Sequence, residues 1–242
     1  VQPLDNPAWH ALTGPHATVA EGGELARRYR PEYSVWSAVG DAADPDAWSE
    51  LRAIVGEGGH AMFGHLPRHP AEWETVRSFP VRQLVLDDPI DPQPLAALPA
   101  GVLVEPLTPK DVEEMGALAR ATEPGPWCER TAELGDFFGI RIDGQLVAMA
   151  GERLRLPTAV EISGVCTDAS HRGQGFAAAL VVEVARQIQA RNATAFLHVR
   201  DANAAAINVY ERLGFRCRTV TTVSLVRAPE RVRHDNGDIA PA

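Results

Sequence analysis

Residues 167–178 read Thr-Asp-Ala-Ser-His-Arg-Gly-Gln-Gly-Phe-Ala-Ala, TDASHRGQGFAA. An apolar, β-branched run precedes them, Ala159–Thr167, and reads as a strand. Phe176, Leu180, Val184 and Ile188 follow at four-residue spacing and mark an amphipathic helix to about Arg191. An arginine and two glycines between a strand and a helix set several backbone N–H groups in front of the positive end of a helix dipole, which is a seat for a pyrophosphate. Gly173-x-Gly175-x-x-Ala178 also fits the spelling of a dinucleotide fingerprint. In that fold the first glycine follows the strand almost directly and an acid stands about twenty residues on. Here 167–172 intervene, Ala193 holds the distant position, and only about seventy residues remain for further βαβ units. An NAD-dependent oxidoreductase is therefore the remote reading. No Lys-Ser/Thr pair follows the glycines, which excludes a nucleoside-triphosphate loop.

Outward from the loop the chain stays legible. Strands are expected at 102–107, 137–142, 145–154, 196–199 and 215–226, with Asp143-Gly144 as a two-residue hairpin turn. Thr108-Pro109-x-Asp111 opens a helix carrying Val112, Met115 and Leu118, and Asn203 caps another that ends at Gly214. The order expected from 102 onward is β-α-α-β-β-β-α-β-α-β, a mixed sheet with helices against it. Fourteen of the 19 prolines and four of the five tryptophans precede residue 110. The proline-rich stretch at 88–101 is the expected boundary between an N-terminal domain, 1–100, and a C-terminal one, 101–228, with a loose tail at 229–242. The N-terminal part is expected to hold a helix from Pro45 capped by Asp44 and strands at 61–63 and 81–86.

With 23 basic against 32 acidic side chains the formal charge is −9, which argues against a nucleic-acid partner and makes an amine-bearing one easier. Cys128, Cys166 and Cys217 form no Cys-x-x-Cys pair and are too few for a disulfide framework, so a reducing cytoplasm is expected. The first ten residues lack a basic and an apolar leader region, and the apolar run at 176–182 is too short to span a bilayer, so neither export nor a membrane is expected. Lys110 is the only lysine among many arginines and alanines, as in proteins of GC-rich bacteria.

Arg172-x-x-Gly175-x-Ala177, with GVCT (164–167) before it and AAINVYERLGF (205–215) after it, resembles the GNAT N-acetyltransferase superfamily, particularly its glycine N-acyltransferase-like branch. The resemblance spans about residues 102–227. It implies an α/β fold with a mixed sheet, the GNAT acyltransferase fold, with the N-terminal part as an additional α/β domain or a degenerate GNAT-like half. It further implies that Val165, Cys166 and Thr167 lie along the pantetheine arm of acetyl-CoA. On the same ground Arg172, Gly173, Gln174, Gly175, Phe176 and Ala177 enclose its pyrophosphate, and Asn203 adds a coenzyme contact. Ala169 stands where many relatives have proline, which would leave the loop less stiff.

Acyl transfer from a thioester to an amine needs a neutral amine, support for an oxyanion and a proton for the departing thiolate. Glu161, eleven residues before Arg172, holds the position of the general base in some relatives, notably histone acetyltransferases; it is equally readable as a solvent-facing or substrate-orienting carboxylate, with ordered water taking the proton. The N–H of Val165 is expected to meet the oxyanion. Tyr210 is the expected acid, or else a core aromatic sharing a stripe with Ile207 and Leu213. His60, His65 and His69 are separated by Pro67 and Pro70 and joined by no acid or cysteine at ligand spacing, so no metal is expected. Glu123, Glu129 and Glu133, expected between the first two helices of the C-terminal domain, read as a solvated face before a steering patch for the acceptor. The function implied is acetyl transfer from acetyl-CoA to a primary amine by a monomer or homodimer; the alternative is a module that senses acyl-CoA without turnover.

Overall fold

The computed structural model describes residues 2–65 and 68–230, so the expected tail lies outside the described residues from 231 onward. In chain order the elements are α1 (Pro7–Leu12), β1 (Ala20–Gly22), β2 (Ala26–Tyr29), β3 (Ser37–Val39), α2 (Pro45–Val55), β4 (His60–Phe63), β5 (Glu74–Leu86), α3 (Gln93–Ala96) and β6 (Glu105–Pro106). They continue as α4 (Val112–Thr122), β7 (Phe137–Ile142), β8 (Gln145–Arg155), β9 (Ala159–Thr167), α5 (Phe176–Ala190), β10 (Thr194–Arg200), α6 (Ala204–Arg212) and β11 (Arg216–Arg227).

Local chemistry sets many of these bounds. Asp44 accepts from the amide of Asp46 with Pro45 in the first turn of α2, and Thr108 and Asp111 cap each other ahead of α4. Asp143 and Gly144 both take positive φ, 50° and 81°, and join β7 to β8 in a tight hairpin. Two expectations need correcting. The strand expected at 102–107 contracts to Glu105–Pro106, because Pro106 has no N–H for a ladder and lies on the outermost strand of the sheet. The second helix expected before β7 is a single 3-10 turn, Thr131–Leu134, preceded by the helix-breaking run Pro124-Gly125-Pro126. The stretch 122–136 therefore lies between α4 and β7 and not between two helices.

An eight-stranded sheet runs β4-β11-β5-β10-β9-β8-β7-β6, and β1-β2-β3 form a small antiparallel sheet of their own. Within the large sheet β9 and β10 are parallel, and the other pairs are antiparallel. The sheet crosses the boundary expected near residue 100: β5 is inserted between β10 and β11, with Leu86 opposite Ala195 and Val81 opposite Thr221.

Adjacent residues of a strand point to opposite faces, and the cores follow that alternation. On one face Leu84, Ala148, Ile162 and Leu197 pack beneath α5 and α6 with Leu180, Val184 and Ile207. On the other, Met149 and Cys166 pack under Met115 and Leu118 of α4. Farther along this second face Val85, Leu154 and Phe196 meet Tyr29, Tyr33 and Trp36 from the N-terminal half.

Candidate active site

The parallel pair β9 and β10 is short. Ala159–Ile162 is matched to 194–197, and the pairing stops there. Beyond it β10 continues alongside β5 as far as Arg200 opposite Val81, while β9 stays with β8. The edge of β9 from Ser163 to Thr167 that would face β10 is left without a strand partner. Near this parting β9 bulges: between Ser163 and Cys166 its register against β8 slips, and Gly164 adopts φ 64°, a conformation that a side chain would strain. A Cβ there would also press to 3.1 Å on the ring of Phe137, so the bulge needs glycine on both counts.

β9 then enters the quoted loop. Asp168 caps a 3-10 turn, Ala169–His171, by accepting from the amide of Ser170. That bond and the hydroxyl of Ser170 hold the carboxyl pKa down to about 2. The turn that proline would stiffen is thus braced by Asp168. Arg172 donates from Nε to the carbonyl of Thr167 at 3.3 Å. Gly175 is the N-cap of α5 in the left-handed region, φ 81° and ψ 0°, and no side chain caps the helix. The amides of Gly173, Gln174, Gly175, Phe176 and Ala177 consequently have no acceptor among the described residues. The space above Gly173 and Gly175 is open, since a Cβ at either would meet nothing within 4 Å. Thr167 adds a buried hydroxyl without a partner.

Val165 borders the core cluster that contains Tyr210 and Ile207 of α6. The Tyr210 ring packs edge-on against Phe215 at 6.0 Å, and its hydroxyl has no hydrogen-bond partner among the described residues. Burial pushes its pKa up to about 12, so it keeps its proton at neutral pH. Asn203 caps α6 by accepting from the amide of Ala206 at 3.1 Å. Cys166 is buried, and desolvation raises its thiol to about 11, which suits a packing residue.

Glu161 lies on the opposite face from Val165 and Tyr210. Arg153 donates to its carboxylate from Nε and Nη2 at 2.8 and 2.7 Å, and Nδ1 of His198 lies 2.7 Å away. Burial works to raise the pKa of this fully buried acid, but the Arg153 charge and the hydrogen bonds from Arg153 and His198 outweigh it and leave the value at about 2. A carboxylate so held is a weak base at neutral pH, and its oxygens are already engaged. Glu133 is tied to Arg130 by a two-bond ion pair, whose guanidinium lies 4.3 Å from the ring centre of Tyr33, and Glu123 ends α4 in the left-handed region. Among the described residues no group of three or more His, Cys, Asp or Glu is arranged to hold a metal.

Arg153 escaped the sequence reading, as did Trp36, Trp127 and His198. The signal for Arg153 was present: Leu146 to Ala150 form an unbroken apolar run in β8, and a charged residue farther along so apolar a strand needs a buried partner. Trp127 lies edge-on to Phe137 at 5.5 Å beside Gly164, which no local pattern reveals.

Comparison with known proteins bears on the family and the fold. The model of the FR47-like protein family matches residues 137–224. A ribosomal protein bS18-alanine N-acetyltransferase of Escherichia coli (strain K12) is 33% identical over 101 residues, 39% of this chain and 68% of the relative. A solved structure from Novosphingobium aromaticivorans, described as a putative acetyltransferase of the GNAT family, is 36% identical, covers 96% of this chain and 100% of its own, and superposes with a TM-score of 0.82. A GCN5-related N-acetyltransferase from Kribbella flavida shares the fold at 21% identity, with a TM-score of 0.63 over 93% of this chain and 95% of its own.

Proposed function

Because the chain belongs to the GNAT family of N-acetyltransferases, we propose that it moves an acetyl group from acetyl-CoA to an amine by direct attack, at the gap between β9 and β10. The observation that carries this reading is continuity: β9 loses its partner after Ile162 and runs directly into a loop whose amides are unpaired. An extended amide-bearing arm along Ser163–Thr167 supplies the missing strand partner. Its pyrophosphate then meets the amides of 173–177, the Arg172 guanidinium and the positive end of α5. Val165, Cys166 and Thr167 line the arm, and the Thr167 hydroxyl gains the partner it lacks.

In the reaction the amine nitrogen bonds to the thioester carbon, the carbon–sulfur bond breaks, and the amine proton leaves through water. A backbone N–H of the bulge, that of Val165, receives the negative oxygen. Tyr210, protonated at neutral pH and without a competing partner among the described residues, gives its proton to the departing thiolate and takes one back from the water that received the amine proton. Glu161 is a fixed anion that positions Arg153 and His198 and not the base. The unpaired cysteines support a reducing, cytoplasmic setting.

The test has two parts. Acetyl-CoA should raise the melting temperature and NAD should not. With an active amine, Tyr210→Phe should lower kcat by about 10²- to 10⁴-fold with little change in acetyl-CoA affinity. A loss below about threefold returns Tyr210 to packing. Binding without coenzyme A release for any amine would favour the sensing module.

A further inference from the structure

β5 outruns β10. The two are matched from Val81 opposite Arg200 to Leu86 opposite Ala195, so from Glu74 to Phe79 β5 has β11 on one side and no strand partner on the other among the described residues. Residues 74–78 are exposed. A strand edge left open in this way offers its amides and carbonyls to another extended chain. Two cations stand beside it. Arg77 and Phe79 alternate onto the face that carries Val81, and Arg200, opposite Val81, joins them there. The guanidinium carbons of Arg77 and Arg200 lie 5.6 and 4.7 Å from the centre of the half-buried Phe79 ring. Neither arginine has an ion pair or a hydrogen-bonded acceptor among the described residues, and the acids nearest to them along the chain, Glu74 and Asp201, are held by Arg227 and Arg82. Arginines elsewhere, such as Arg130, Arg141 and Arg155, are answered by carboxylates, so two unanswered ones at a single ring are a local exception in an acidic chain.

Resting on the acetyl-transfer reading above, we propose that this edge docks an acidic, extended segment of a polypeptide acceptor, whose carboxylates meet Arg77 and Arg200. Stacking engages a guanidinium by its flat face and leaves the in-plane N–H groups directed outward, set to receive a carboxylate. The two guanidinium groups share one ring and so stand within about 10 Å of each other. Side chains two positions apart on an extended chain are about 7 Å apart, so acids at alternate positions suit the pair. The edge is close to the parting of β9 and β10. Arg200 is three residues beyond Leu197, the last residue matched to β9, or about 10 Å at the rise of a strand. An amine delivered to the parting thus carries its acids about three to six residues along the same chain. The formal charge of −9 makes the rest of the surface a poor place for such a segment, which gives the patch its selectivity.

Calorimetry with acetyl-CoA comes first and tests the reading beneath the proposal; absence of binding overturns both. With binding established, coenzyme A release is measured for two short peptides with the same free amine, one carrying aspartate at alternate positions from the fourth onward and the other asparagine there. The acidic peptide should have the lower KM, by about five- to tenfold, the scale of two exposed charge pairs, with a similar kcat. That advantage should fall below about twofold as salt is raised to about 0.5 M and the charges are screened. Arg77→Gln combined with Arg200→Gln keeps polar side chains at Phe79 and removes both charges. It should bring KM for the acidic peptide up to that of its amide counterpart. Arg77→Glu combined with Arg200→Glu should turn the preference toward a peptide with lysine at the same positions. Equal KM for the two peptides, an advantage that survives the double glutamine variant or high salt, or no turnover of either peptide by protein that binds acetyl-CoA overturns the proposal. So does a matching loss of acetyl-CoA affinity in that variant, which would give the two arginines to the phosphates of the coenzyme.

Discussion

Two polar regions lie along β9, and they are built on opposite plans. Around Glu161 each charge is matched: a guanidinium and an imidazole take up the carboxylate, and Gln83 continues the chain to Arg218. Six residues on, from Thr167 to Ala177, a hydroxyl and five consecutive amides have no partner among the described residues. Matched groups in a dry interior hold a shape, and unmatched groups beside open space await a visitor. The same strand thus carries a rigid end and a receptive end, with the Gly164 bulge between them.

The contrast can be broken first at its rigid end. Arg153→Ala leaves Glu161 buried with a single imidazole partner and should cost about 3–5 kcal/mol in urea unfolding. Most of that should return when Glu161→Gln is added, because the stranded charge is then gone. A loss under 1 kcal/mol would mean that water replaces the guanidinium. A second matched site holds only while it is neutral: His16 bridges the Tyr29 hydroxyl and the Leu134 carbonyl at 2.8 and 3.1 Å, and burial lowers its pKa from 6.5 to about 4. The unfolded chain takes up this proton first, so the contribution is full above pH 6.5 and falls away toward pH 4. Between pH 7 and pH 5.5, above the range where Glu161 titrates in either the folded or the unfolded chain, about 1 kcal/mol should be lost, and His16→Asn should flatten the profile.

At the receptive end the effects move from folding to binding. Gly175→Glu places a side chain in the left-handed region, at about 1 kcal/mol, and a carboxylate where the pyrophosphate should sit. It should abolish the acetyl-CoA shift in melting temperature while the protein stays folded by circular dichroism. Normal binding would remove the loop from the site. The smallest change is Asn203→Ala, which removes one cap and should cost about 1 kcal/mol. A parallel loss of acetyl-CoA affinity would sharpen the case for a coenzyme contact at Asn203.

The receptive end was readable in the sequence and the rigid end was not. Gly173, Gly175 and Arg172 form a local pattern between a strand and a helix, and Asp143-Gly144 and Asn203 announce their turns within a few residues. Arg153 meets Glu161 only because β8 folds back on β9, and His198 arrives on another strand altogether. Trp36 comes from the N-terminal half, just before β3, and β1, β2 and β3, of three or four residues each, carry too little alternation to be detected. The second helix expected before β7 has no counterpart longer than the 3-10 turn Thr131–Leu134, which follows Pro124-Gly125-Pro126 and is too short to propagate.

The place of β5 has a consequence in time. It is made early, yet its neighbours β10 and β11 are more than a hundred residues downstream. On the ribosome this strand must wait until β10 and β11 have been made, with the apolar run Leu84–Val85–Leu86 in search of cover. Such distant pairing raises the contact order and slows folding, and it makes closure of the sheet a late, all-or-none event. The gap beside β9 is flanked by β10, which β5 braces from its other side, so the capacity to bind would arrive only with the last strand.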